Sequence, residues 1–161
     1  MSSFTHIDQE GRVKMVDVTR KEVTLRIAVA QATVSMHPDT LQKIIDGSVK
    51  KGNVLETARI AGIMAAKKTD ELIPMCHPLN ITHIRIDFVP DENNHSVQIE
   101  AEVRLKGPTG VEMEALTAVT VAALTIYDMC KSYDRDMIVT DIQLVKKTGG
   151  KSGTFLKKRK G

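Results

Sequence analysis

Residues 107–133 read GPTGVEMEALTAVTVAALTIYDMCKSY, and the rest of the chain is organised around this stretch. A Gly-Pro turn opens it. Two carboxylates, Glu112 and Glu114, follow, and an apolar run of about five helical turns ends at Asp128 and Lys131. A helix this apolar belongs in a core, so the charges at its two ends are the exceptions to explain. Asp128 and Lys131 lie about 60° apart on such a helix, on one face. Glu114 shares nearly the same face but stands 14 residues before Asp128, roughly 21 Å along the axis at 1.5 Å per residue. One small ligand cannot easily touch both ends within one chain. Either Glu114 is structural, an acid at the positive end of the helix dipole, or a pocket is assembled from two chains, one helix giving its start and another its end.

Upstream of this helix two segments alternate. Residues 81–89 set Ile81, His83, Arg85 and Asp87 against Thr82, Ile84, Ile86 and Phe88, and residues 96–106 turn Val97, Ile99, Ala101, Val103 and Leu105 inward. With the turn Pro90-Asp91-Glu92-Asn93-Asn94 between them, they predict an antiparallel hairpin. Residues 24–36 alternate as well: Leu25, Ile27 and Val29 on one face, Arg26, Ala28, Ala30, Ala32 and Val34 on the other. The second face is built of small residues, so something packs on it closely. Arg26, at its end, is either an edge residue with its charge in water or an anion ligand.

Pro38 and Asp39 suit a helix start, giving a short helix over 40–46 stopped at Gly47. Lys50 and Lys51 then lie in a glycine-bounded loop, as solvent decoration or as an anion site. Asn53 suits the cap of a helix from Val54 to about Lys68. Its small face, Ala58, Ala61, Gly62 and Ala65, is expected on the alanine face of the first strand. Two prolines stiffen the loop Leu72-Ile73-Pro74-Met75-Cys76-His77-Pro78-Leu79, which presents a Cys and a His. Residues 137–147 read as the last strand, with Ile138, Ile142, Leu144 and Val145 as its apolar positions, and Met15 to Val18 as a brief extended piece. The order strand, helix, helix, strand, strand, helix, strand is that of an α+β, ferredoxin-like split βαβ antiparallel sheet, with helices on one face and an extra helix. The other face, with His83, Arg85 and Asp87, is left for another chain or for water.

A length of 161 residues suits one domain over residues 1–161, with a mobile N-terminal segment and a basic C-terminal tail. Only 3% of residues are aromatic, which argues against base-stacking on nucleic acid. The net charge of +3 resides largely in the tail, Lys157-Lys158-Arg159-Lys160, so it signals no nucleic-acid groove. Two cysteines, Cys76 and Cys130, make no disulfide framework. The N-terminus lacks a signal-peptide core, and no run approaches about 18 apolar residues. A cytoplasmic protein with reduced thiols is expected.

Gly149-Gly150-Lys151-Ser152-Gly153 resembles the close of a phosphate loop, but position 145 is Val rather than the required Gly, and no helix can follow. A Gly-rich tail that folds over a phosphate with its amides and Lys151 stays open. Cys76 and His77 are adjacent, which is not metal-ligand spacing. The cations Arg26, Lys51, Lys131 and Lys147 and the acids Glu112, Glu114 and Asp128 point to acid/base work on a phosphorylated small molecule.

Several long motifs occur in order: Thr5-His6-Ile7, Met15-Val16-Asp17-Val18, Thr57-Ala58-Arg59-Ile60-Ala61-Gly62, the loop from Leu72 to Leu79, Thr109 to Thr117, Thr125 to Lys131, and Gly149 to Gly153. Together with Lys51-Gly52 they resemble the cyclic pyranopterin monophosphate synthase family of molybdenum cofactor biosynthesis over residues 5–155. The resemblance implies a ferredoxin-like subunit in a homohexamer, a trimer of dimers, with active sites between subunits. It implies conversion of 3′,8-cyclo-7,8-dihydroguanosine 5′-triphosphate to cyclic pyranopterin monophosphate with release of pyrophosphate, without a cofactor. By resemblance Lys51 and Lys131 are the acid/base pair and Asp128 orients Lys131. Met75, Cys76 and His77 line the substrate, Glu112, Met113 and Glu114 meet its guanine-derived end, and Arg26 and Lys147 contact phosphate. The competing class is a non-catalytic ferredoxin-like module that binds a nucleotide. No nucleic-acid or membrane partner and no metal site are expected.

Overall fold

The computed structural model describes residues 6–158; Thr5 of the first motif and Arg159 and Lys160 of the basic tail lie outside the described residues. The chain runs β1 (Thr24–Ser35), α1 (Pro38–Ile45), α2 (Val54–Lys67), α3 (Thr69–Leu72), β2 (His83–Asp91), β3 (Ser96–Gly107), α4 (Glu112–Cys130), β4 (Ile138–Thr148) and β5 (Phe155–Leu156). The five strands form one antiparallel sheet in the order β2-β3-β1-β4-β5. Its first four strands have the ferredoxin-like arrangement. The short α3 and the two-residue β5 are additions that no periodicity announced.

Strict alternation places β1 at the centre of the sheet. Ala28, Ala30, Ala32 and Val34 are at most 1% exposed, and they stand in register with Val103, Ala101, Ile99 and Val97 of β3. On this face lies α4, whose Ala115, Ala118, Val119, Ala122, Ala123 and Ile126 are fully buried. Small side chains on both surfaces let helix and sheet approach closely. By length and composition alone α4, with mean hydropathy 1.3, matches a membrane span. Its apolar surface is instead taken up by the sheet on one side and α2 on the other.

The small face of α2 was expected on β1. It packs on α4 and β2 instead. The reason is that α4 is apolar on nearly every side and must be covered twice, whereas α2 leaves Ile60 and Met64 more than half exposed and can take an outer position. Gly62 makes the contact: a Cβ there would stand 2.5 Å from Ile86 Cδ1 and 2.9 Å from the Ala118 carbonyl oxygen. Asn53 caps α2 as expected, its side-chain oxygen accepting the Glu56 N–H at 3.1 Å. The start of α1 is held from a distance. The Asp134 carboxylate accepts the His37 N–H (2.8 Å) and the Thr40 hydroxyl (3.3 Å).

One expectation about the strands is corrected. Ile138 and Ile142 do not point inward; they are 58% and 44% exposed. Register shifts at Val29/Ala30 and Gln31/Thr33 break the simple alternation of β4; Leu144 packs on the core as its pattern implies, and Val139, which the pattern did not name, joins it. Among the described residues Met15 to Val18 joins no ladder, and nearby a single bridge links Ile7 and Val13. The open sheet face carries paired polar groups, Arg85 with Asp87 (3.1 Å) and Gln31 with Glu100 (2.8 Å), beside exposed apolar residues such as Leu25 and Val89.

Candidate active site

The start of α4 borders two adjoining clefts. The larger, about 540 Å³, is lined by Lys21, Arg26, Glu112, Lys147, Lys151 and Ser152 among others. The smaller, about 250 Å³, is lined by Val16, Val18, Met75, Cys76, His77, Met113 and Glu114. Lys21, Thr109, Gly110 and Glu112 border both. Cations outnumber carboxylates in the first cleft, and the second sets Glu112 and Glu114 among mostly apolar walls.

Arg26 is not a solvated edge residue. It is 8% exposed, because it continues the inward face of β1 beyond the last alanine, under the turn that leads into α4. Its Nε donates to the Gly107 carbonyl and its Nη2 to the Pro108 carbonyl, each at 3.1 Å. Lys147, two strands' width from β3, reaches the same cleft from β4. Its Nζ lies 3.0 Å from Glu112 Oε1 and 2.8 Å from Ser152 Oγ.

The proline-braced loop brings Met75, Cys76 and His77 to the smaller cleft. His77 Nε2 meets the Val16 carbonyl at 2.8 Å, so this nitrogen carries the proton and donates. Glu114 is 4% exposed. Burial pushes its carboxyl up to about 7, and the negative charges of Glu112 and Asp70 add to the rise. Burial likewise raises the Cys76 thiol, helped by Glu114 and Asp70, which disfavours a thiolate nucleophile. Cys130 is a core residue of α4, its thiol pushed up to about 11 by burial. The two cysteines therefore stand at opposite ends of α4 and form no shared metal set.

The far end of α4 carries the other cluster. Lys51 lies in the loop just before the Asn53 cap, and the packing of α2 on α4 delivers that loop to the helix end. The Lys50 N–H, donated to the Tyr133 hydroxyl at 3.1 Å, pins it. Lys51 Nζ donates to the Asp128 carbonyl oxygen at 2.8 Å, one of the acceptors that a helix end leaves without a helical partner. It also stands 3.7 Å from Asp128 Oδ2, while Lys131 Nζ is 2.7 Å from Asp128 Oδ1. The Lys131 hydrogen bond and charge, with the Lys51 charge, hold the Asp128 carboxyl below its ordinary range. All three side chains are substantially exposed, open to a ligand or a partner.

Of the residues singled out from the sequence, eight gather at the start of α4 and three at its end. The helix between them is unbroken over 19 residues, so the roughly 21 Å separation holds. Lys21 was missed. It borders both clefts, but it sits in a polar stretch without period, and only the turn closed by its N–H on the Val18 carbonyl (3.0 Å) brings it there. The stretch 149–153 is not a loose cover: β5 pairs back on β4 and ties it down.

The chain matches the MoaC family over residues 15–150. It is 65% identical over 161 residues, all of this chain and 99% of the relative, to the cyclic pyranopterin monophosphate synthase of Desulforapulum autotrophicum. It is 62% identical over 156 residues to the protein of that name in Desulfatibacillum aliphaticivorans, covering 97% of this chain and 98% of the relative. For Pelotomaculum thermopropionicum the figures are 60% over 158 residues, 98% and 93%.

Proposed function

The chain belongs to the MoaC family and is a lyase of molybdenum cofactor biosynthesis, and on that premise we propose how its residues carry the reaction. The substrate is 3′,8-cyclo-7,8-dihydroguanosine 5′-triphosphate and the products are cyclic pyranopterin monophosphate and pyrophosphate. The triphosphate takes the cation-lined cleft, against Arg26, Lys147 and Lys21. The guanine-derived ring takes the adjoining cleft, where Glu112 and Glu114 face its N–H groups and Met75, Cys76, His77 and Met113 form the walls.

Ring opening and re-closure as a pterin require several proton transfers. A ribose-derived hydroxyl must then attack the α-phosphate and expel pyrophosphate. Lys51 and Lys131 exchange those protons, with Asp128 orienting both ammonium groups. The observation that carries this reading is the division of the site between the two ends of one rigid helix. A lysine pair roughly 21 Å from the clefts serves a substrate there only if it comes from a second chain. The working form is then an oligomer with sites between subunits; that it is a homohexamer, a trimer of dimers, acting in the cytoplasm is what the family resemblance implies.

The test is single turnover with the cyclised GTP intermediate, following pyrophosphate release, for the wild type, Lys131→Ala and Asp128→Ala. Wild-type release with variants that bind but do not release supports the assignment. A wild type that binds the intermediate and releases nothing would make the protein a nucleotide-binding module instead.

A further inference from the structure

We propose that the glycine turn after β4 is a positioning device: Gly150 and Ser152 set the direction of the two cations, Arg26 and Lys147, that face the substrate's phosphates. The inference rests on the triphosphate reading of the larger cleft.

Two of the three nitrogens of the Arg26 guanidinium are committed to the Gly107 and Pro108 carbonyls. The third, Nη1, lies against Gly150. A Cβ at position 150 would overlap Nη1 and stand 2.8 Å from Cζ. Gly150 also holds φ +73°, a left-handed conformation. The absence of a side chain there thus leaves the guanidinium its place, hydrogen-bonded along one edge in the wall of the cleft. Lys147 is treated similarly. Its ammonium has three N–H donors; Glu112 Oε1 at 3.0 Å and Ser152 Oγ at 2.8 Å take two of them. One donor remains, with a direction set by the other two.

The turn itself is stiff. The Gly153 N–H donates to the Gly150 carbonyl at 3.1 Å, and Lys147 pairs with Phe155 where β5 returns. A turn that only joined two strands would need neither the Gly150 contact with Arg26 nor the Ser152 bond to Lys147. Cations held in advance bind a polyanion without a further ordering cost.

The experiment uses the full chain and inorganic tripolyphosphate as the probe, titrated by calorimetry, beside KM and kcat for the cyclised GTP intermediate. Gly150→Ala should weaken tripolyphosphate binding about tenfold, the scale of one charge-assisted hydrogen bond, raising KM and sparing kcat at saturation. Gly153→Ala is the control for backbone strain. It has φ +65° with nothing within 4 Å of an added Cβ, and it should stay within about twofold of wild type. Ser152→Ala should weaken tripolyphosphate about threefold to fivefold, and Ser152→Thr, which restores the hydroxyl, should recover it. Equal effects of Gly150→Ala and Gly153→Ala, or wild-type affinity in Ser152→Ala, would overturn the inference alone. A wild type that turns over the intermediate yet ignores tripolyphosphate would overturn the triphosphate reading and this inference with it. If Gly150→Ala does not fold, the Ser152 pair decides.

Discussion

Arg26→Ala and Lys131→Ala disable opposite ends of α4, and co-expressed they should regain activity that neither has alone. Arg26 lies in the cleft beside the start of α4 and Lys131 at its C-terminal cap. If each site takes its phosphate end from one chain and its lysine end from another, random assembly at equal expression makes about one site in four wild type at both ends. Mixed oligomers should then reach about a quarter of the wild-type rate per chain. Two affinity tags in tandem isolate the mixed species, and pyrophosphate release from the cyclised GTP intermediate reads the rate. Each variant purified alone gives the background. If both ends served one site within one chain, every subunit in the mixture would carry a broken site. Activity no higher than background in verified mixed oligomers would therefore refute the two-chain site, and with it the argument from the helix length.

Gly62→Ala sets two effects against each other. The substitution gains about 1 kcal/mol of helix propensity, but the added Cβ meets the fully buried Ile86 and the Ala118 backbone. Overpacking costs about 1–3 kcal/mol, so a net loss of roughly 1 kcal/mol and a lower Tm are expected; a higher Tm would show that α2 and α4 are not in close contact. Glu114→Gln tests the buried carboxyl through pH. The carboxyl titrates near 7 in the fold against 4.5 as its ordinary value, so the folded state binds the extra proton. Its contribution to stability is full below the ordinary value and is lost as pH rises through about 7. The variant should gain Tm relative to wild type between about pH 5 and about pH 8, and parallel Tm profiles would show that Glu114 titrates normally. Asp134→Ala removes the acceptor at the start of α1 and should cost about 1 kcal/mol in denaturant unfolding; an unchanged midpoint would mean that α1 holds without it.

Much of the molecule was legible along the chain. Alternation in residues 24–36 and 96–106 placed β1 and β3 and named their buried faces, because a strand's side chains take opposite sides by geometry. The apolar run with acids before it and Asp128 and Lys131 after it placed α4, and Asn53 placed the start of α2. Ordered motifs from Met15 to Gly153 pointed to the family. Each of these signals is local, carried by neighbours three, four or two positions apart.

What remained was decided by contacts between distant segments. Periodicity tells that α2 has a small face but not which surface it meets; α4 took the alanine face of β1 because it needed cover on both sides. The register shifts in β4 turned Ile138 and Ile142 outward against their pattern. Arg26 is buried because carbonyls more than eighty positions away receive it, and Lys51 meets Asp128 across a comparable gap. By itself the sequence determined the main elements, the buried faces of β1 and β3 and the family, since those depend on near neighbours and on shared motifs. The tertiary structure alone decided which helix covers which strand, where the cations point and how far apart the two halves of the site stand, since those depend on surfaces that meet only when the chain has folded.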